Sequence, residues 1–99
     1  MSSDLVFFNP KVRARHFDLR TDEPTRIVQG PAQLVLRVEG TGTVYLGGED
    51  VNTSTDPATA TGFPVTEADG IVRLSLASGA VLYAIAEQAG VKLQVMLLG

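Results

Sequence analysis

Apolar and polar residues alternate through most of this chain, and the cleanest run comes last. Over positions 91–98, Val91, Leu93, Val95 and Leu97 share one face, while Lys92, Gln94, Met96 and Leu98 share the other. That is the period of two a strand imposes, and it predicts a strand with its valine–leucine face on the core. Gln33–Glu39 reads the same way, with Leu34, Leu36 and Val38 inward. So does Ile71–Ala77, with Val72, Leu74 and Leu76 opposite Arg73 and Ser75. Ala80–Ala86 is apolar on both faces. Its larger set, Val81, Tyr83 and Ile85, is expected inside beside the last strand, with Leu82, Ala84 and Ala86 outside.

Turn signals separate these runs. Gly40-Thr41-Gly42 predicts a tight hairpin into a strand at Thr43–Leu46, because glycine reaches the positive φ that such turns require. Ser78-Gly79 and Gln88-Ala89-Gly90 mark further reversals. From Gly47 to Gly62 runs a long loop rich in Thr, Ser and Ala, ended by Phe63-Pro64 where the chain re-enters the packed body. Loops of that length are usually functional or disordered. Short strands at this spacing predict an all-β fold, a small antiparallel β-sandwich or barrel.

The beginning is less regular. Leu5–Phe8 is apolar and stops at the turn signal Asn9-Pro10. Val12–Leu19 puts Val12, Ala14 and His16 on one face and Arg13, Arg15, Phe17 and Leu19 on the other, and Thr21–Thr25 reads as a loop around Pro24. The expected organisation is therefore an N-terminal arm or edge strands over residues 1–25, followed by a β-sandwich domain over residues 26–99.

Ninety-nine residues, 44% of them hydrophobic, are enough for one core and one domain. With no cysteine there is neither a disulfide framework nor a thiolate metal site. The net charge of −3 argues against a general nucleic-acid partner, and no apolar run approaches the ~20 residues a membrane helix needs. The opening residues also lack the basic start and apolar stretch of a signal peptide. Charge is unevenly spread. Lys11, Arg13, Arg15, Arg20, Arg26 and Arg37 crowd the first part, and Glu39, Glu49, Asp50, Asp56, Glu67 and Asp69 the middle. Such asymmetry can steer one copy, or a partner, onto another.

Little in the chain suggests catalysis. His16 is the only histidine, which leaves no His-rich metal centre. Ser75 or Ser78 with His16 and Asp18 makes a triad on paper, but no Gly-x-Ser-x-Gly elbow frames either serine. Glu49, Asp50 and Asp56 lack the spacing of a calcium loop. Gly40-Thr41-Gly42 fails as a phosphate-binding loop because Tyr45 stands where the third glycine belongs. Asn52-Thr53-Ser54 matches a glycosylation sequon by chance composition. The expectation is a protein that is not an enzyme and needs no cofactor.

Thr43-Val-Tyr-Leu-Gly-Gly-Glu-Asp-Val51, then Gly62-Phe-Pro-Val65, Leu74-x-Leu76, Leu82-Tyr-Ala-Ile-Ala86 and Val91-x-Leu-x-Val95 form an ordered set. Together they resemble a module of small β-rich accessory proteins of the heads and tails of tailed bacteriophages. The resemblance covers roughly the C-terminal 60% of the chain. It departs in a longer loop between Val51 and Gly62 and in the basic segment Lys11–Arg26, which has no counterpart and leaves head against tail open.

The resemblance implies a structural virion protein, first of all a capsid decoration protein made in the host cytoplasm and carried on the particle surface. It also implies a homo-oligomer, a trimer by family habit, resting on a major capsid or tail protein. Arg13, Arg15, Met96 and Leu98 are the expected oligomer or shell contacts. Met96 and Leu98 qualify because, with Leu82, Tyr45 and Phe63, they leave the outward faces more apolar than a lone monomer of this size requires. A tail or fibre-associated component, or a small carbohydrate-binding β-module, is the alternative.

Overall fold

A computed structural model describes residues 13–98. Among the described residues eight strands form in chain order: β1 Arg13–Asp18, β2 Thr25–Gln29, β3 Ala32–Glu39, β4 Thr43–Gly47, β5 Phe63–Thr66, β6 Val72–Leu76, β7 Val81–Ala86 and β8 Lys92–Leu97. A short 3-10 turn, Glu67–Asp69, joins β5 to β6, its backbone start tied by Asp69 Oδ2 accepting from Thr66 N at 2.7 Å.

The strands make two four-stranded antiparallel sheets, β1-β8-β3-β6 (sheet A) and β2-β7-β4-β5 (sheet B). First pairs with last, second with seventh, third with sixth and fourth with fifth. This is one long hairpin rolled up so that alternate pairs of its ladder fall in opposite sheets, with β8 also laid beside β3 and β7 beside β4. Eight strands wound in this way are the double Greek key of a jelly roll. The all-β sandwich expected from the alternation is therefore present.

The core lies between the sheets. Leu34, Leu36 and Val38 of β3 and Leu93 and Val95 of β8 face Val44, Leu46 and Val65 of sheet B, and all are buried in one cluster. Val91 joins them, and Leu97 packs against the cluster while half-buried. The assignment of the last strand therefore stands, face by face.

Three expectations are corrected. Gly40-Thr41-Gly42 does not close a hairpin, because β3 and β4 belong to different sheets. Gly40 and Gly42 do take positive φ, at 111° and 133°. However, they arch the chain over the end of the sandwich, where Gln88 Nε2 donates to the Thr41 carbonyl at 2.7 Å.

In β7 the faces are exchanged. Leu82, Ala84 and Ala86 lie in the main core, whereas Ile85 and Tyr83 pack with Tyr45 and Val51 in a second cluster on the other side of sheet B. Leu82 is accordingly not an outward residue. Finally, Thr25–Gln29 is a strand that the alternation missed. A bulge between Arg26 and Val28 lets Ile27 and Val28 both turn toward the core, which breaks the period of two.

Candidate docking surfaces

The register of sheet A places its outward side chains in rows. One row runs Ala14, Met96, Val35, Arg73, the next His16, Gln94, Arg37, and the third Asp18, Lys92, Glu39. Cross-strand neighbours on one face interact directly, and here Arg37 Nε donates to Gln94 Oε1 at 2.7 Å. Lys92 Nζ lies 3.8 Å from Asp18 Oδ1, an exposed pair that contributes little to stability. Over the first two rows, with Ile71 at the rim, lies an open depression of about 260 Å³. Met96 is 38% exposed, Leu98 39% and Ile71 66%.

Sheet B is different. Its outward Tyr45 and Ile85 are buried, because the loop after β4 folds back and lays Val51 on them. The loop holds that position by its own hydrogen bonds. Asn52 Nδ2 donates to the Thr59 carbonyl at 2.9 Å, and Asn52 Oδ1 accepts from Ser54 N at 3.1 Å and Thr61 N at 3.4 Å. Thr61 Oγ1 accepts from Asn52 N at 3.0 Å and donates to the Asp50 carbonyl at 3.0 Å, while Ser54 Oγ and Thr59 Oγ1 share a hydrogen bond of 2.6 Å. The sequon asparagine is thus the staple of the loop. Gly62 completes the seat, since a Cβ there would stand 2.7 Å from Tyr45 Cβ and 2.8 Å from Val51 Cγ2.

Two results are expected from this arrangement. Asn52→Ala removes three of the loop's bonds and leaves polar backbone unpaired, so it should cost about 1–3 kcal/mol and open the 48–62 segment to limited proteolysis. Gly62→Ala should lift Val51 from Tyr45 and do the same. A cleavage pattern unchanged in both variants would contradict the stapled loop.

The expected contact residues do not form one surface. Met96 and Leu98 lie on the outer face of sheet A. Arg13 and Arg15 pair with Leu97 and Val95, so they lie on the inward side of the edge strand β1, yet both are exposed. Of the expected arm or edge strands over residues 1–25, residues 1–12 lie outside the described residues, and β1 is an edge strand of sheet A. Of the other residues named as outward and apolar, Tyr45 is covered by the loop and Leu82 is core, whereas Phe63 is 67% exposed.

Charge is polarised across the sandwich. Sheet A carries Arg13, Arg15, Arg37, Arg73 and Lys92 against Asp18 and Glu39, while the loop over sheet B carries Glu49, Asp50 and Asp56, all exposed. In the exposed loop from β1 to β2, Arg20 reaches Asp22 at 2.8 Å and Glu23 at 3.0 Å. The hydrogen bond from Arg20 holds the Asp22 carboxyl below its ordinary range. The paper triad does not assemble: His16 is on β1 and Ser75 on β6, at opposite edges of sheet A, at least about 14 Å apart across three strand spacings. Among the described residues no group of three His, Cys, Asp or Glu side chains is placed to hold a metal, and no helix is long and apolar enough to cross a membrane.

Compared with protein-family models, with curated proteins and with solved structures, the chain matches none.

Proposed function

We propose that this chain is a structural protein of a bacteriophage particle, a decoration protein that lies on the head shell through the outer face of sheet A. The observation that carries the reading is the unequal treatment of the two outer faces. On the outer face of sheet B, Tyr45 and Ile85 are covered by the chain's own loop, whereas Met96 and Leu98 of sheet A, with Ile71 at its rim, are left bare near Arg37 and Arg73. An apolar patch edged by basic side chains suits a flat partner with an acidic surface. On a repeating shell each contact can be modest, because neighbouring attachments raise the effective concentration of the next.

The jelly roll supports this only by analogy, since the architecture recurs in viral capsid domains and in lectins alike. The ordered resemblance to phage head and tail proteins adds the setting. In that setting the copies associate, as a trimer, while the shell supplies the lattice.

The test is composition of the particle. Protein quantification of purified virions from the phage that encodes the chain should find it in numbers comparable to the major capsid protein and tied to the head fraction. Enrichment with tails would move it to the tail. Absence from particles, with binding on a glycan array instead, would replace the reading by a carbohydrate-binding one.

A further inference from the structure

Each sheet of a sandwich ends in two strands with an unpaired ladder, and natural proteins guard such edges with inward charges, prolines, bulges or short strands. Three of the four edges here are guarded. β1 turns Arg13 and Arg15 inward, β2 carries the Arg26/Val28 bulge, and β5 is four residues long and contains Pro64. The fourth, β6, has no proline, bulge or inward charge, and at five residues it is one longer than β5. Its inward residues Val72, Leu74 and Leu76 are only half-buried although they pair with the core strand β3. Phe63, on the neighbouring edge strand β5, is 67% exposed on the inward side of sheet B, opposite Leu46. The side of the sandwich where β5 passes into β6 is therefore open and apolar.

We infer that β6 is an acceptor edge, and that its occupant is Leu5–Phe8 of a second copy of this chain, added as a further strand of sheet A. Leu-Val-Phe-Phe is the one strongly strand-forming apolar segment outside the described residues. Strand addition satisfies the backbone of both partners and uses alternate side chains for specificity. Val72, Leu74, Leu76 and Phe63 supply the apolar seat.

Reach favours a second copy. Arg13 shares a row with Leu97, Leu34 and Leu74, so a strand added beyond β6 lies four spacings from it, about 19 Å. The chain from Phe8 to Arg13, fully stretched, spans at most about 18 Å, and the path over the side chains of the sheet is longer still. A copy's own segment reaches that ladder only with residues 9–12 drawn straight across the end of the sheet, whereas a neighbour's is under no such constraint. Because donor and acceptor are different surfaces, the contact is heterologous and closes into a ring when the rotation allows. That deepens the trimer of the proposed function and rests on it.

The absence of cysteine makes the test clean. Full-length chains carrying Val6→Cys or Phe7→Cys are mixed with chains carrying Arg73→Cys or Ser75→Cys and oxidised mildly, and light scattering gives the mass before oxidation. Exchange predicts a covalent heterodimer from the pair whose side chains share a face. Its yield should be roughly tenfold or more above that with Asp18→Cys on the far edge, because a docked segment meets its partner at millimolar effective concentration. No cross-link from a folded oligomer would overturn the strand exchange and leave the association standing. No cross-link from a folded monomer would overturn both. Cross-links confined to single chains in a double variant would show a segment docked on its own copy, against the proposal.

Discussion

Replacing Leu93 by alanine should lower the stability of the domain by about 2–5 kcal/mol, while Lys92→Ala beside it should change it by no more than about 0.5 kcal/mol. Leu93 has no exposed surface, lies on β8 between β1 and β3, and belongs to the main core cluster. Truncation there loses the transfer energy of the deleted carbons and leaves a cavity in packing that relaxes only in part. Lys92 points outward and its one ion pair, to Asp18 at 3.8 Å, is exposed at both ends. The same contrast applied to β7 checks the corrected faces. Leu82→Ala should cost more than Val81→Ala, because Leu82 is core and Val81 is half-buried on the outer side. A denaturant titration reads all four. Equal losses at 92 and 93 would show that the register is slipped by one, which exchanges every face of the strand.

Residue pattern alone was enough for β3, β6 and β8, because each has one apolar and one more polar face and a period of two leaves no choice between them. β7 offered no such sign. Both of its faces are apolar, and preferring the larger set for the interior failed because Val51 arrives from the distant loop to cover Tyr45 and Ile85 on the outside. Nothing local announces a cover supplied from across the sheet. The bulge in β2 defeated periodicity in another way, by turning two consecutive residues, Ile27 and Val28, toward the same side.

Gly40 and Gly42 were read correctly as positive-φ positions, but a glycine turn that arches between sheets and one that closes a hairpin have the same composition. As for the docking surface, Met96 and Leu98 were legible as apolar residues on a polar face. Their separation from Arg13 and Arg15 by the thickness of a sheet was not, because it depends on which side of β1 meets the core.

The second large effect is expected at that surface. Met96→Asp with Leu98→Asp removes two bare apolar residues of sheet A and places negative charge near Arg37 and Arg73. Both positions are over a third exposed, so folding stability should move by no more than about 0.5 kcal/mol for each change. Attachment should not survive, since the variant loses the apolar contact and sets like charge against an acidic partner. A control at the other face, Asp56→Asn on the exposed loop over sheet B, should leave attachment intact. Basic contacts also make the unmodified protein bind faster and tighter at low ionic strength, with the advantage screened over about 10 Å at 0.1 M salt.

Co-sedimentation with purified phage heads, at low and high salt, puts the proposed decoration role to its most direct test. The unmodified protein should pellet with heads to saturation and more tightly at low salt, and the Asp56→Asn variant should follow it. The Met96→Asp, Leu98→Asp variant should stay in the supernatant while remaining folded, its melting temperature lowered by no more than about 8 °C. A folded variant that pellets as well as the unmodified chain at both salt concentrations would contradict the assignment of sheet A as the surface that meets the shell.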